Sequence, residues 1–144
     1  MKILVVEDDG MLAGFLEDAL LDIGHSVCGI VGRVDDAVRL VREHRPDIAL
    51  LDMQLRGGEF GTDVADRLAT TDDLAGLGIL YVSGETDRVH RQARFGHACL
   101  NKPYSLDTLA TALTIVRQVA NGSPWSDAVP HGIEMIAQPE AASV

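Results

Sequence analysis

At 144 residues, with 47% apolar and 24% charged side chains, the chain fits one domain that buries its own core without staples. Its net charge of −10 excludes a general nucleic-acid binder, which needs a basic face, and suits a cation site or phosphoryl chemistry. No transmembrane run is present, and the start, Lys2 followed by Ile3-Leu4-Val5-Val6 and then acids, is not a signal peptide. Cys28 and Cys99 have no metal-ligand spacing, so a soluble, reducing, cytoplasmic setting is expected.

In chain order, 2–6 reads as a strand, and 9–24 as a helix with Leu12, Phe15, Leu16, Ala19, Leu20 and Ile23 at helical spacing, ended by Gly24. A strand at 26–31 precedes a helix at 35–44 with Ala37, Leu40 and Val41 inward, and Pro46 leads into a strand at 48–51. A helix at 62–71 uses Val64, Ala65 and Leu68; a strand follows at 79–82 and a weaker helix at 86–95. A short strand at 98–100 and a helix at 105–120 complete the pattern, with Ser105 as N-cap and Leu106, Leu109, Ala110, Leu113 and Val116 on one face. Residues 1–120 form the expected domain. Residues 121–144, broken by Gly122, Pro124, Pro130, Gly132 and Pro139, read as a mostly irregular tail that docks through Trp125 or 133–136.

Alternating strands and helices imply an α/β fold with a doubly wound, five-stranded parallel sheet, and the continuously apolar strands fit a sheet covered on both faces. In such sheets sites form outside the carboxyl ends of the strands. Those ends carry Glu7-Asp8-Asp9, Asp52, Ser83-Gly84-Glu85 and Asn101-Lys102-Pro103. Each has an ordinary reading: Asp9 caps the next helix, a strand-ending Asp opens a turn, and Lys102 is a surface lysine, although its rarity as one of only two lysines adds to its weight. Jointly they define a chemistry. Clustered carboxylates call for a cation, Mg²⁺ takes hard oxygens, and an aspartate beside it attacks phosphorus while a lysine and a hydroxyl hold the other oxygens.

The combination of "VVEDD", "LLDMQL", "VSG" and "NKPY" resembles the receiver domain of two-component response regulators, over about residues 2–120. The resemblance implies the flavodoxin-like sheet order 2-1-3-4-5. It makes Asp52 the phosphoacceptor, Asp8, Asp52 and the Gln54 carbonyl the Mg²⁺ ligands with Glu7 acting through water, Ser83 the switching hydroxyl and Lys102 the phosphate-binding lysine. It places Gln54 and Glu85 as tuners of phosphoryl lifetime and a cis peptide before Pro103. A sensor histidine kinase or histidine phosphotransfer protein is the implied donor, with a downstream protein receiving the signal, and neither nucleic acid nor membrane as partner. A homodimer through the fourth and fifth helices is a further option in the family.

Two departures stand out: no proline follows in Met53-Gln54-Leu55-Arg56-Gly57-Gly58, and Cys99 occupies the family's aromatic switch position. Tyr81 reads as core, and Phe15, Phe60 and Phe95 as packing. Arg88, Arg91 and Arg94 read as a solvated face paired with acids, or else as a face for an acidic partner. The leading expectation is a stand-alone phosphoacceptor switch, not an enzyme. A non-cycling pseudo-receiver is the alternative. A Mg²⁺-dependent phosphohydrolase fits poorly, because Gln54 stands where its general acid belongs.

Overall fold

The apolar run that opens the chain becomes strand β1 (Lys2–Val6) of a computed structural model that describes residues 1–136. Asp9 then starts helix α1 (Gly10–Asp22), its side chain accepting hydrogen bonds from the amides of Met11 and Leu12. Next come β2 (Ser26–Val31), α2 (Val34–His44), β3 (Ile48–Asp52), a 3₁₀ turn at Arg56–Gly58, α3 (Gly61–Ala69) and β4 (Gly78–Ser83). The described chain ends with α4 (Thr86–Gln92), β5 (Ala98–Asn101), α5 (Leu106–Ala120) and β6 (Ile133–Met135). Arg45, left-handed at φ 46°, turns the chain out of α2, and Ser105 caps α5 by accepting from the Thr108 amide.

The sheet order is β2-β1-β3-β4-β5-β6. The first five strands are parallel, in the expected 2-1-3-4-5 order, but β6 runs antiparallel to β5 and corrects the five-stranded expectation. Three residues among glycines and prolines are too short to announce a strand. They pair because β5 offers an open edge and because Ile133 enters the core. The Asn101 amide donates to the Gly132 carbonyl and that of Ile136 to His97, so the return strand is tied at both ends. Trp125, Val129 and Met135 pack against the same core, and the tail beyond 136 lies outside the described residues.

Side chains alternate across the strands into two cores. Leu4, Val6, Ala49, Leu51, Ile79 and Tyr81 face α2, α3 and α4, while Ile3, Val5, Ile48, Leu50, Leu80 and Leu100 face α1 and α5. Cys28 and Cys99 are free thiols on β2 and β5, separated by three strands.

Three packing expectations change. In α1, Leu20 is buried, but Phe15 is 67% exposed and Leu12 49%, so Phe15 is not a core residue. Helical periodicity marks an apolar face without fixing how much of it the sheet covers. Leu106 on α5 is likewise exposed. The third change is in α4, which stops at Gln92 with Ala93 already extended, so Arg94 leaves the expected arginine row.

Candidate functional site

The parallel sheet brings the carboxyl ends of β1, β3, β4 and β5 together, and with them nearly every candidate side chain. Glu7 and Asp8 follow β1, Asp52 ends β3, Ser83 ends β4 and Lys102 follows β5. One carboxylate oxygen each from Glu7, Asp8 and Asp52 lie within 4.8 Å of one another. The Lys102 ammonium is 3.3 Å from Asp52 Oδ1. Its backbone amide donates to the Ser83 carbonyl, which locks the ends of β4 and β5 in register beside Asp52. The Lys102–Pro103 peptide is cis.

Three carboxylates this close repel one another. Glu7 shows the strain most clearly. It is buried, its Oε2 has no hydrogen-bond partner among the described residues, and its pKa is raised to about 8. Burial is the main cause, followed by a side-chain hydrogen bond with Asp52 and then the Asp52 charge. Two positive side chains approach the cluster: Lys102 on Asp52, and Arg56, whose Nε lies 3.1 Å from Asp8 Oδ2. A buried oxygen without a partner, in an all-oxygen set of carboxylates, fits a small hard divalent cation such as Mg²⁺.

Beside the cluster is a pocket of about 220 Å³ whose walls include Asp52, Gln54, Ser83, Glu85, Arg88 and Lys102. Ser83 Oγ accepts from the Glu85 amide at 2.9 Å, which leaves the hydroxyl hydrogen available for a ligand. Gln54 is held by a bridge to Phe60, and Gly61 presses α3 against β3. A Cβ at Gly61 would lie 2.4 Å from the Asp52 carbonyl oxygen. On the other side, Gly32 lets the β2–α2 loop run against Asp8, where a Cβ would meet the Asp8 Cα at 3.0 Å. Both glycines therefore set the position of the acidic residues.

A larger groove of about 560 Å³ opens between α1 and α5 and reaches Asp52 and Lys102. Leu12, Phe15, Tyr104 and Leu106 line it. Residue-by-residue reading missed this groove, Arg56 and the place of Arg88 in the smaller pocket, because each depends on packing between segments far apart in the chain. The unusually apolar α1 was the one visible hint. Tyr81 is fully buried and donates to the Phe95 carbonyl at 2.6 Å, while Cys99 beside it is buried with its thiol pKa pushed up to about 12, mainly by burial.

The chain belongs to the response regulator receiver domain family, whose profile matches residues 3–114. It is 28% identical over 115 residues to the transcriptional regulatory protein PdtaR of Mycobacterium tuberculosis, covering 79% of this chain and 55% of PdtaR. Among solved structures, the signal receiver domain of a modulated diguanylate cyclase from Desulfovibrio desulfuricans G20 is 32% identical with a TM-score of 0.68, covering 83% of this chain and 95% of that one. SdrG from Sphingomonas melonis Fr1 is 35% identical with a TM-score of 0.62, covering 79% and 93%. The chain spans about half the length of curated relatives such as PdtaR and MalR, 55% and 51% of theirs.

Proposed function

We propose that this receiver domain accepts a phosphoryl group on Asp52 from a histidine kinase or histidine phosphotransfer protein. The observation that carries the reading is the placement of Asp52 between the Glu7–Asp8 acidic pair and Lys102, at the mouth of a pocket shared with Ser83. In the transfer, an Asp52 oxygen bonds to phosphorus as the phosphorus–nitrogen bond of a phosphohistidine breaks. The imidazole nitrogen leaves with the electron pair. Lys102 exchanges its contact with Asp52 for a phosphoryl oxygen, and the Ser83 hydroxyl donates to another.

Asp8, Asp52 and the Gln54 carbonyl would hold Mg²⁺, with Glu7 acting through a water molecule. The bound ion would offset the negative charge that builds up around phosphorus. Gln54 and Glu85 flank the route of an attacking water and would tune phosphoryl lifetime.

The groove between α1 and α5 supports a helical donor. A histidine on an amphipathic helix laid along Leu12, Phe15 and Leu106 would come to the Asp52 end of the same groove. Output by protein contact or onward phosphotransfer, in a cytoplasmic setting, belongs to this reading. A homodimer through α4 and α5 would have to accommodate β6, whose Glu134 lies 3.2 Å from His90 of α4.

A non-cycling receiver is the second reading, and it is favoured by the buried Cys99 at the aromatic switch position. Intact mass after incubation with acetyl phosphate and Mg²⁺ decides between them. One added phosphoryl group, absent in Asp52→Ala and without Mg²⁺, is expected. Neither an adduct nor release of inorganic phosphate would leave the non-cycling reading.

A further inference from the structure

We propose that Arg88 is a second phosphoryl-binding cation of this site, acting beside Lys102; the proposal rests on the phosphoacceptor reading of Asp52. Arg88 leaves the first turn of α4 and lines the pocket shared by Asp52, Ser83 and Lys102. Its side chain is only 32% exposed, and its guanidinium carbon lies 5.8 Å from the centre of the Phe60 ring. That platform is fixed at both ends. Phe60 bridges to Gln54, and its amide donates to Asp63 Oδ2 at 2.9 Å. The ring thus holds the cation on the side of the pocket formed by the β3–α3 loop.

The guanidinium is not committed elsewhere. Arg88 Nε is 3.6 Å from Glu85 Oε2, an ionic contact too long for a hydrogen bond. Among the described residues no acceptor takes a hydrogen bond from this guanidinium. Five planar donors are therefore available at a pocket wall that already carries one lysine. Geometry gives them a task. A phosphoryl group arrives with about −1.5 to −2 charge; Lys102 and a Mg²⁺ on the carboxylates would offset part of it, and Arg88 is the other cationic side chain on the pocket wall. Arg88 exchanges its loose contact with Glu85 for two phosphoryl oxygens, as Lys102 exchanges Asp52.

Arg91 marks the contrast. It lies one turn further along α4, shares an outer pocket with Glu85 and Arg88, and does not line the pocket that holds Asp52, which Arg88 does. An arginine row that reads as a uniform solvated face in the sequence is divided by the fold into an inner and an outer member.

The test is a titration of the whole chain with beryllofluoride, a stable mimic of the phosphoryl group, in Mg²⁺, followed by NMR, for wild type, Arg88→Ala, Arg88→Lys and Arg91→Ala. Arg88→Ala is expected to weaken binding by about tenfold or more, the effect of one charge-assisted hydrogen bond. Arg88→Lys should recover part of the loss, and Arg91→Ala should stay within about twofold, as befits a screened surface charge. With acetyl phosphate as donor, the Arg88→Ala defect should fall on half-saturation and not on the maximal rate.

Circular dichroism and melting of the unliganded variants exclude loss of fold. Affinity within twofold of wild type for Arg88→Ala, or an equal loss in Arg91→Ala, would overturn the proposal. A wild type that binds no beryllofluoride and takes no phosphoryl group would overturn the phosphoacceptor reading itself.

Discussion

Gly61→Ala tests how tightly the fold fixes Asp52 at the end of β3. The new methyl group would be placed 2.4 Å from the Asp52 carbonyl oxygen and 3.2 Å from Leu51 Cβ. Neither neighbour can yield cheaply, because β3 is hydrogen-bonded to β1 on one side and β4 on the other. The first turn of α3 must withdraw instead, stretching the 2.9 Å hydrogen bond from the Gly61 amide to the Met53 carbonyl. Overpacking of this kind costs about 1–3 kcal/mol. The lost hydrogen bond adds about 0.5–1.5 kcal/mol. Against these, removing a glycine from the unfolded chain returns about 0.4–1 kcal/mol.

The net loss is about 0.5–4 kcal/mol, centred on about 2 kcal/mol, which lowers the melting temperature of a chain this size by roughly 1–16 °C. Urea unfolding followed by circular dichroism measures it, and the rate of adduct formation at Asp52 should fall in the same variant. Gly14→Ala is the control. Beyond its own stretch of helix nothing lies within 4 Å of its Cβ, so the exchange inside α1 should stabilise by about 0.5–1 kcal/mol. A Gly61→Ala protein within 0.5 kcal/mol of wild type, an approximate error for such a measurement, would refute the view that α3 presses on the Asp52 carbonyl.

Four further outcomes follow from the same geometry. His97 Nδ1 accepts the Ile79 amide at 3.0 Å, and burial lowers its pKa below the ordinary 6.5. The native state therefore binds fewer protons than the unfolded one, so this stabilisation is complete above the unfolded pKa and is lost as pH falls through the lowered value. Melting temperature against pH should flatten there in His97→Asn, whose side-chain oxygen keeps the acceptor; an unchanged profile would count against it. Ile133→Ala should cost about 2 kcal/mol or more, since the residue is buried on the strand that closes the β5 edge, and chemical unfolding reads this directly. Millimolar Mg²⁺ should raise the melting temperature of wild type by mass action and not that of Asp8→Asn. Phe15→Ala should leave stability within about 0.5 kcal/mol, because the ring is 67% exposed, yet slow transfer from a protein donor more than from acetyl phosphate.

Much of this protein is determined by local sequence. Alternating apolar runs and amphipathic segments specify strands and helices, and Asp9 and Ser105 cap helices with their own side chains. The acidic and basic residues at the ends of the runs are legible because a parallel sheet places every such end on one side. The strand order came with the family resemblance and not from periodicity.

What only the tertiary structure decided depends on neighbours distant in the chain. β6 exists because β5 leaves an edge to be paired, and nothing in three residues foretells that. The exposure of Phe15 depends on the gap between α1 and α5, since periodicity gives the direction of a face but not the extent of what covers it. The raised pKa of Glu7 comes first from its burial in the folded chain and then from Asp52, 45 positions away. Arg88 and Arg91 are alike in sequence, yet the fold places Arg88 beside the Phe60 ring on the wall of the Asp52 pocket and leaves Arg91 outside that pocket.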